Sequence, residues 1–355
     1  MSDEQRTHED DHRLTGPGTI LSLIVATGFV VGVMISARIA YDHAEHRPIT
    51  LNAIDAPGAS SNECSRLVDN LPDSLGSFDR VPVAQPAPAG AAVWVKGDKR
   101  VTLRCGVQPP DSYTALSTTE QHGKDDDHTM DTGPAAEIRW LGVADTVGGD
   151  VPVSGTVTWY TLGRSQEVAV TGPASMASEL KELARPLRHN PVSPSSATAH
   201  PAPAPLSALP ADDSDPLSAQ CRSVLDALPS RFGALTRTTK DVLGHDLPQG
   251  VVAWIAPRRE PVVVRCGVHR PASYKPGAQL QQINDVPWFN ADVSHGQPEM
   301  DEPGPQDSTS RDQDRTWYAL GYRNTVALSM PASSGNGVIT TVSDAIARHV
   351  EKSSD

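Results

Sequence analysis

A chain of 355 residues is long enough for two domains, and at 38% hydrophobic content, part of it gathered in one segment, their cores must be modest. A formal net charge of -13 with no long basic run argues against nucleic acid as a partner, because phosphate neutralisation needs clustered Lys and Arg. The four cysteines, Cys64, Cys105, Cys221 and Cys266, form no CxxC pair, so the zinc-ribbon and thioredoxin-type signatures are both missing.

Residues 1–18 are polar and read as a cytoplasmic tail. Ile20 to Ala37 contains no charged residue, so 19–41 is expected to be a transmembrane anchor. Cleavage after Ala40 would put Arg38 where a signal peptidase wants a small residue, which favours an uncleaved anchor. Arginines flank both sides about equally, so the cysteines set the orientation: disulfides persist outside the cytosol, which places the bulk of the chain beyond the membrane. Gly28 and Gly32 make a GxxxG step through which two anchors can pair as a homodimer.

After a polar tether at 42–59, Ser60 with Glu63 reads as a capping box. The helix it opens puts Cys64, Leu67, Val68 and Leu71 on one face and ends at Pro72. Strands are predicted at Ala92–Val95, Val101–Val107, Glu137–Val143, Thr156–Leu162 and Glu167–Thr171, the first two joined by a Gly97-Asp98 turn. Pro109 to Gly133 reads as loop. Pro173 opens a helix with Met176, Leu180, Leu183 and Leu187 on one face, and 188–216 is an extended linker rich in Pro, Ala and Ser.

Then the pattern returns. Asp215-Pro216 supplies a cap, and Cys221 through Leu228-Pro229 mirrors Cys64 through Leu71-Pro72. Arg265-Cys266-Gly267-Val268 repeats Arg104-Cys105-Gly106-Val107, and Trp317-Tyr318 through Pro331 repeats Trp159-Tyr160 through Pro173. The first repeat is therefore 60–187 and the second 217–350. Each is expected to be an α+β domain: an antiparallel sheet of about five strands with two flanking helices.

Duplication gives a test of chemistry, since an active site kept by both halves would appear twice. The polar residues that recur are Asp69/Asp226, Arg80/Arg237, Arg104/Arg265, Ser112/Ser273, Tyr113/Tyr274, Thr158/Thr316 and Ser175/Ser333. No His or Glu recurs, so neither a triad nor a carboxylate pair is present in duplicate, and no catalytic or cofactor-binding residue is assigned. Arg104 and Arg265 read either as anion contacts or as surface arginines packing their stems, the second preferred. Tyr160 and Tyr318 have strand parity opposite to their tryptophan neighbours, which makes them weak binding candidates beside the arginines. The tryptophans Trp94/Trp254, Trp140/Trp288 and Trp159/Trp317 read as core rather than as a ligand platform. His122, Asp125, Asp126, Asp127, His128 and Asp131 resemble a metal set, but the second repeat has no counterpart, so a solvated loop is preferred and no metal is assigned. One cysteine pair per half at near-equal spacing favours the disulfides Cys64–Cys105 and Cys221–Cys266.

Each half resembles an uncharacterised family of actinobacterial envelope proteins, a domain of unknown function. The second half carries the pattern in Cys221, Leu228-Pro229, Ala253-Trp254, Arg265-Cys266-Gly267-Val268, Pro271 and Val286-Pro287-Trp288. The first departs with Val93-Trp94 and Ile138-Arg139-Trp140. The resemblance implies a cell-membrane anchor and an extracytoplasmic domain, present here twice where one is usual. It implies no catalytic residues. The expected role is a non-enzymatic envelope binding or assembly factor whose partner is a cell-wall component or another envelope protein; the alternative is a wall-acting hydrolase or transferase.

Overall fold

The computed structural model describes residues 17–45, 48–108, 110, 112–122, 138–144, 155–188, 190–194, 200–212, 217–243, 246–291, 315–331 and 334–353. Helix α1 (Pro17–Glu45) is 29 residues long. Its described large apolar side chains, Ile24, Val25, Phe29, Val30, Val31, Val33, Met34 and Ile35, are all 44–73% exposed. Among the described residues, whose side chains in this helix run unbroken only from 24 to 38, no helix is long and apolar enough to cross a membrane.

Helix α2 (Asn62–Asp69) starts one residue later than the Ser60 box predicts. Ser61 is extended, and its Oγ accepts the Cys64 N–H at 3.2 Å, the N-cap geometry that satisfies an orphan donor of the first turn. The repeated sheet that follows is larger than expected. Strands β1 (Ser74–Leu75), β2 (Phe78–Val81), β3 (Ala91–Lys96), β4 (Lys99–Val107), β5 (Thr119–His122), β6 (Ile138–Ala144), β7 (Thr156–Thr161) and β8 (Glu167–Pro173) form one antiparallel sheet in the order β1-β2-β3-β4-β8-β7-β6-β5. The expected count of about five is corrected to eight, because β1 and β2 are too short to show a period and β5 is a polar edge strand, Thr-Glu-Gln-His, inside a stretch read as loop. After Pro173 the chain winds as a 3-10 helix over Ala174–Leu183 and only then as α3 (Ala184–Leu187). Met176, Leu180, Leu183 and Leu187 are all buried, as their spacing predicts.

The second repeat copies this order. Helix α4 (Ala219–Ala227) is capped by Ser218, whose Oγ accepts the Cys221 N–H at 3.0 Å. The cap expected at Asp215-Pro216 lies outside the described residues. Strands β9 (Arg231–Phe232), β10 (Leu235–Arg237), β11 (Val251–Ile255), β12 (Val262–Val268), β13 (Gln281–Ile283), β14 (Val286–Ala291), β15 (Arg315–Ala319) and β16 (Thr325–Met330) pair as β9-β10-β11-β12-β16-β15-β14-β13, with the short helix α5 (Lys240–Leu243) between β10 and β11. Helix α6 (Gly335–His349) closes the core with Val338, Ile339, Val342 and Ile346.

In each repeat the cysteine-bearing helix and the helix that ends the repeat cover one face of the sheet, and the disulfide joins the first of them to the central strand, whereas Leu243 of α5 packs against the other face. Cys64–Cys105 ties α2 to β4 and Cys221–Cys266 ties α4 to β12, both with Cα atoms 5.5 Å apart, which is unstrained spacing. Trp94, Trp140, Trp159, Trp254 and Trp288 are fully buried and so belong to the cores.

Candidate functional site

The recurring Arg-Cys-Gly-Val strand is where sequence and geometry meet. Cys105 and Cys266 point into the cores, so the arginines before them point to the opposite, outer face. There each meets backbone. Arg104 donates from Nη2 to the Asn52 carbonyl at 2.7 Å, and Arg265 donates from Nη1 to the carbonyls of Leu206 and Ser207 at 2.7 and 2.9 Å. Burial lowers the pKa of both guanidinium groups from the usual arginine value. In both repeats, then, the arginine holds the chain segment that leads into its own domain, rather than an anion.

The glycine serves the same segment. Gly106 and Gly267 have φ of 79° and 78°, left-handed values that glycine adopts without a Cβ clash, and each sits at a bulge in its strand. Gly106 accepts the Gly58 N–H at 3.0 Å, and Gly267 accepts the Asp212 N–H at 2.9 Å. A Cβ on Gly106 would lie 2.2 Å from the Gly58 carbonyl carbon. Arg, Cys and Gly therefore have three consecutive tasks: hold the leading segment, staple the helix, and let the leading segment cross the strand.

The two seats differ in how much they cover. Over the second sheet, Ala204 and Leu206 of the linker and Leu116 of the first repeat complete an apolar cluster with Val251, Ala253, Val263, Tyr318 and Ala327. Tyr318 is thereby 2% exposed, whereas Tyr160 is half-buried beside Leu141, Val143 and Leu162. Burial raises both phenol pKa values. The described part of the linker is docked: Val192 bridges Arg164, Ala202 bridges Thr114 and Ala211 bridges Val268, with a turn at residues 205–208 between the last two. A sequence signal for this was present. Val262-Val263-Val264 does not alternate, and a strand apolar on both faces is one that is covered on both.

Some of the other duplicated polar residues also have local structural tasks. Arg80 caps the end of α2 through the Leu71 and Val68 carbonyls at 3.1 and 3.0 Å, and Arg237 approaches Leu228 likewise at 3.4 Å. Tyr113 and Tyr274 each donate their backbone N–H to the proline three residues earlier, at 3.0 Å, closing the same turn. Thr158 pairs with Thr171 across strands at 2.8 Å.

A buried polar knot lies in the first repeat. The Glu167 carboxylate, 6% exposed, accepts from Thr161 Oγ1 at 2.8 Å and from the N–H groups of Gly163 and Arg164 at 3.1 Å. The Arg164 guanidinium in turn donates to the Asn190 carbonyl at 3.1 Å. The second repeat has Thr325 at the position of Glu167, each pairing with the valine of its motif.

Sequence reasoning missed the contact between repeats altogether. The turn between β11 and β12 carries Arg258, which forks onto Glu120 of β5 with Nε–Oε1 at 2.5 Å and Nη2–Oε2 at 3.0 Å. The Ala144 N–H donates to the Arg258 carbonyl at 2.9 Å. This arginine occupies an insertion: eight positions separate Trp254 from Val262, and seven separate Trp94 from Val101.

Among the described residues, no group of three His, Cys, Asp or Glu side chains is placed to hold a metal ion. Of the His122–Asp131 set, residues 125, 126, 127, 128 and 131 lie outside the described residues. The family model described as Protein of unknown function (DUF3515) matches residues 23–195 and, a second time, residues 192–354. No curated protein and no solved structure matches the chain.

Proposed function

We propose a role for this chain from the premise that it belongs to the DUF3515 family, a family of unknown function, in two tandem copies. In this reading it is a single-pass protein of the cell membrane whose repeats lie outside the cytoplasm and bind a cell-wall component or another envelope protein, without catalysis. The observation that carries the reading is helix α1. Its apolar side chains from Ile24 to Ile35 stand exposed, within a stretch from Ile20 to Ala37 that has no charge. A surface of that kind is stable in lipid and costly in water. Two disulfides suit an oxidising compartment and agree with the orientation. Gly28 and Gly32, with nothing within 4 Å, leave room for a second copy's helix.

The absence of catalysis is supported by the duplicated arginines, since Arg80, Arg104, Arg237 and Arg265 all spend their guanidinium groups on backbone carbonyls. Tandem copies suit binding, because a second weak contact becomes intramolecular. Two measurements test this. Alkaline phosphatase fused after residue 355 should be active while an N-terminal fusion is not, with the protein resisting carbonate extraction from membranes; the reverse topology would sink the proposal. Purified wall fragments should then bind the chain and be recovered unchanged. Cleavage or transfer on that material would replace the binding reading with the enzymatic one.

A further inference from the structure

The junction between repeats is built around one arginine, and that arginine is held in backbone it does not favour. Arg258 has φ of 61°, and Leu206, whose carbonyl Arg265 holds, has φ of 63°. Among the described residues only Asn284, in a two-residue hairpin turn, is another non-glycine with positive φ. Asparagine tolerates that region, whereas arginine and leucine enter it when their surroundings insist. Left-handed backbone at non-glycine residues thus falls in two segments that touch both repeats or join them, the β11–β12 turn and the linker.

What insists at Arg258 is specific. Its guanidinium forks onto Glu120, and its Cζ lies 5.6 Å from the centroid of the Trp159 ring. Its stem fits because residue 142 is glycine: a Cβ there would stand 2.7 Å from Arg258 Cγ. The second repeat has lost this seat. Register places Gln281 opposite Trp288 where Glu120 faces Trp140, and Asn290 opposite Trp317 where Gly142 faces Trp159. A generic packing contact would not need both the carboxylate and the missing side chain.

The seat is also reachable by solvent. The two charged side chains are 27% and 22% exposed, so mobile ions screen them. Leu116 is the first repeat's member of the apolar cluster that linker and second sheet form, and Thr118 Oγ1 donates to the Ala256 carbonyl at 3.4 Å beside it. We propose that the Arg258 turn is a releasable latch: closed on Glu120, it makes the two repeats one body, and released, it lets the second repeat swing on the linker and uncovers the Gly142–Trp159 slot. Ionic strength shifts this balance, and a partner offering an arginine on a tight turn competes for the slot.

The test uses the full chain in mild detergent, with dyes introduced through non-canonical amino acids at Asp98 and Lys275, both exposed and one on each repeat. Wild type at low salt should give one narrow transfer efficiency. Arg258→Ala and Glu120→Gln should each lower the closed-to-open ratio about tenfold, a typical cost of breaking a partly buried charge pair. Arg258→Lys, which keeps the charge and most of the stem but loses the fork, should lower it less than Arg258→Ala does. Raising salt on the wild type, which needs no variant, should move it toward Arg258→Ala. The latch is overturned if Arg258→Ala, with disulfides and circular dichroism intact, keeps the wild-type efficiency. It is equally overturned if salt leaves the wild type unmoved.

Discussion

Arg265 shows how a side chain that looks like a ligand contact serves the fold. It is 6% exposed, and its two hydrogen bonds go to consecutive carbonyls in a segment 58 and 59 residues earlier. Replacing it with methionine keeps the stem volume and removes the donor, leaving two carbonyls short of a partner. The expected cost is about 2–3 kcal/mol, and Arg104→Met should cost about half that, since one bond is lost at a more exposed site. Urea melts measure the cost. Hydrogen exchange adds the diagnostic sign: amides of 206–212 should exchange faster in Arg265→Met, and those of 49–58 in Arg104→Met. Strand parity showed in advance that both arginines faced away from the core. The carbonyls they would meet lay beyond reach of sequence reasoning, because a Pro/Ala linker has no period by which its path can be read.

At the scale of elements, Gly106 makes the sharpest prediction. A methyl group there meets the Gly58 backbone at 2.2 Å and demands a φ of 79° from an L-residue, so neither rotation nor a small shift relieves it. Gly106→Ala should lift the leading segment off the strand, seen as new protease cleavage between residues 48 and 61 while Trp94 and Trp159 stay buried by fluorescence. The disulfides act on a longer range. Removing Cys64 and Cys105 together frees a loop of 41 residues and should cost about 4 kcal/mol in the unfolded-chain view, with a similar loss for Cys221 and Cys266. Long elements were legible from the residues because alternation in β4 or β7 and the leucine spacing after Pro173 reflect burial directly. The rim strands were not. Ser74–Leu75 and Arg231–Phe232 are too short to carry a period, and they exist because a neighbouring strand offers them partners. Nor was the 3-10 winding of Ala174–Leu183 legible: Leu180 and Leu183, three apart, share a side in either helix, and the four-residue step from Met176 to Leu180 is the α-helical one.

Over the whole molecule, burial of phenols links stability to alkaline pH. Tyr113, Tyr160, Tyr318 and Tyr322 all have pKa values raised first by burial. A group whose folded pKa exceeds its unfolded value contributes stability that is full below the unfolded value, about 10 for tyrosine, and is lost as pH rises through the folded one. Thermal melts should therefore be flat up to about pH 9 and fall steeply above 10, tracking absorbance at 295 nm. Tyr318→Phe should blunt that fall; an unchanged alkaline limb would assign it to other groups. The duplication itself was plain in the sequence, as were the cysteine pairs. The Arg258 junction was hidden, because Glu120 lies in a polar edge strand and Arg258 in a one-residue insertion, and neither belongs to the repeated pattern.

The seat made by Arg265 and Gly267 also changes where a repeat begins. Ala204 and Leu206 are buried parts of the second domain's outer surface, and Asp212 crosses its central strand, although all three precede its first helix. A gene fragment meant to yield the second repeat alone has to start near residue 200. One cut at the first helix would express a domain with a raw valine face, and it should aggregate where the longer fragment stays in solution.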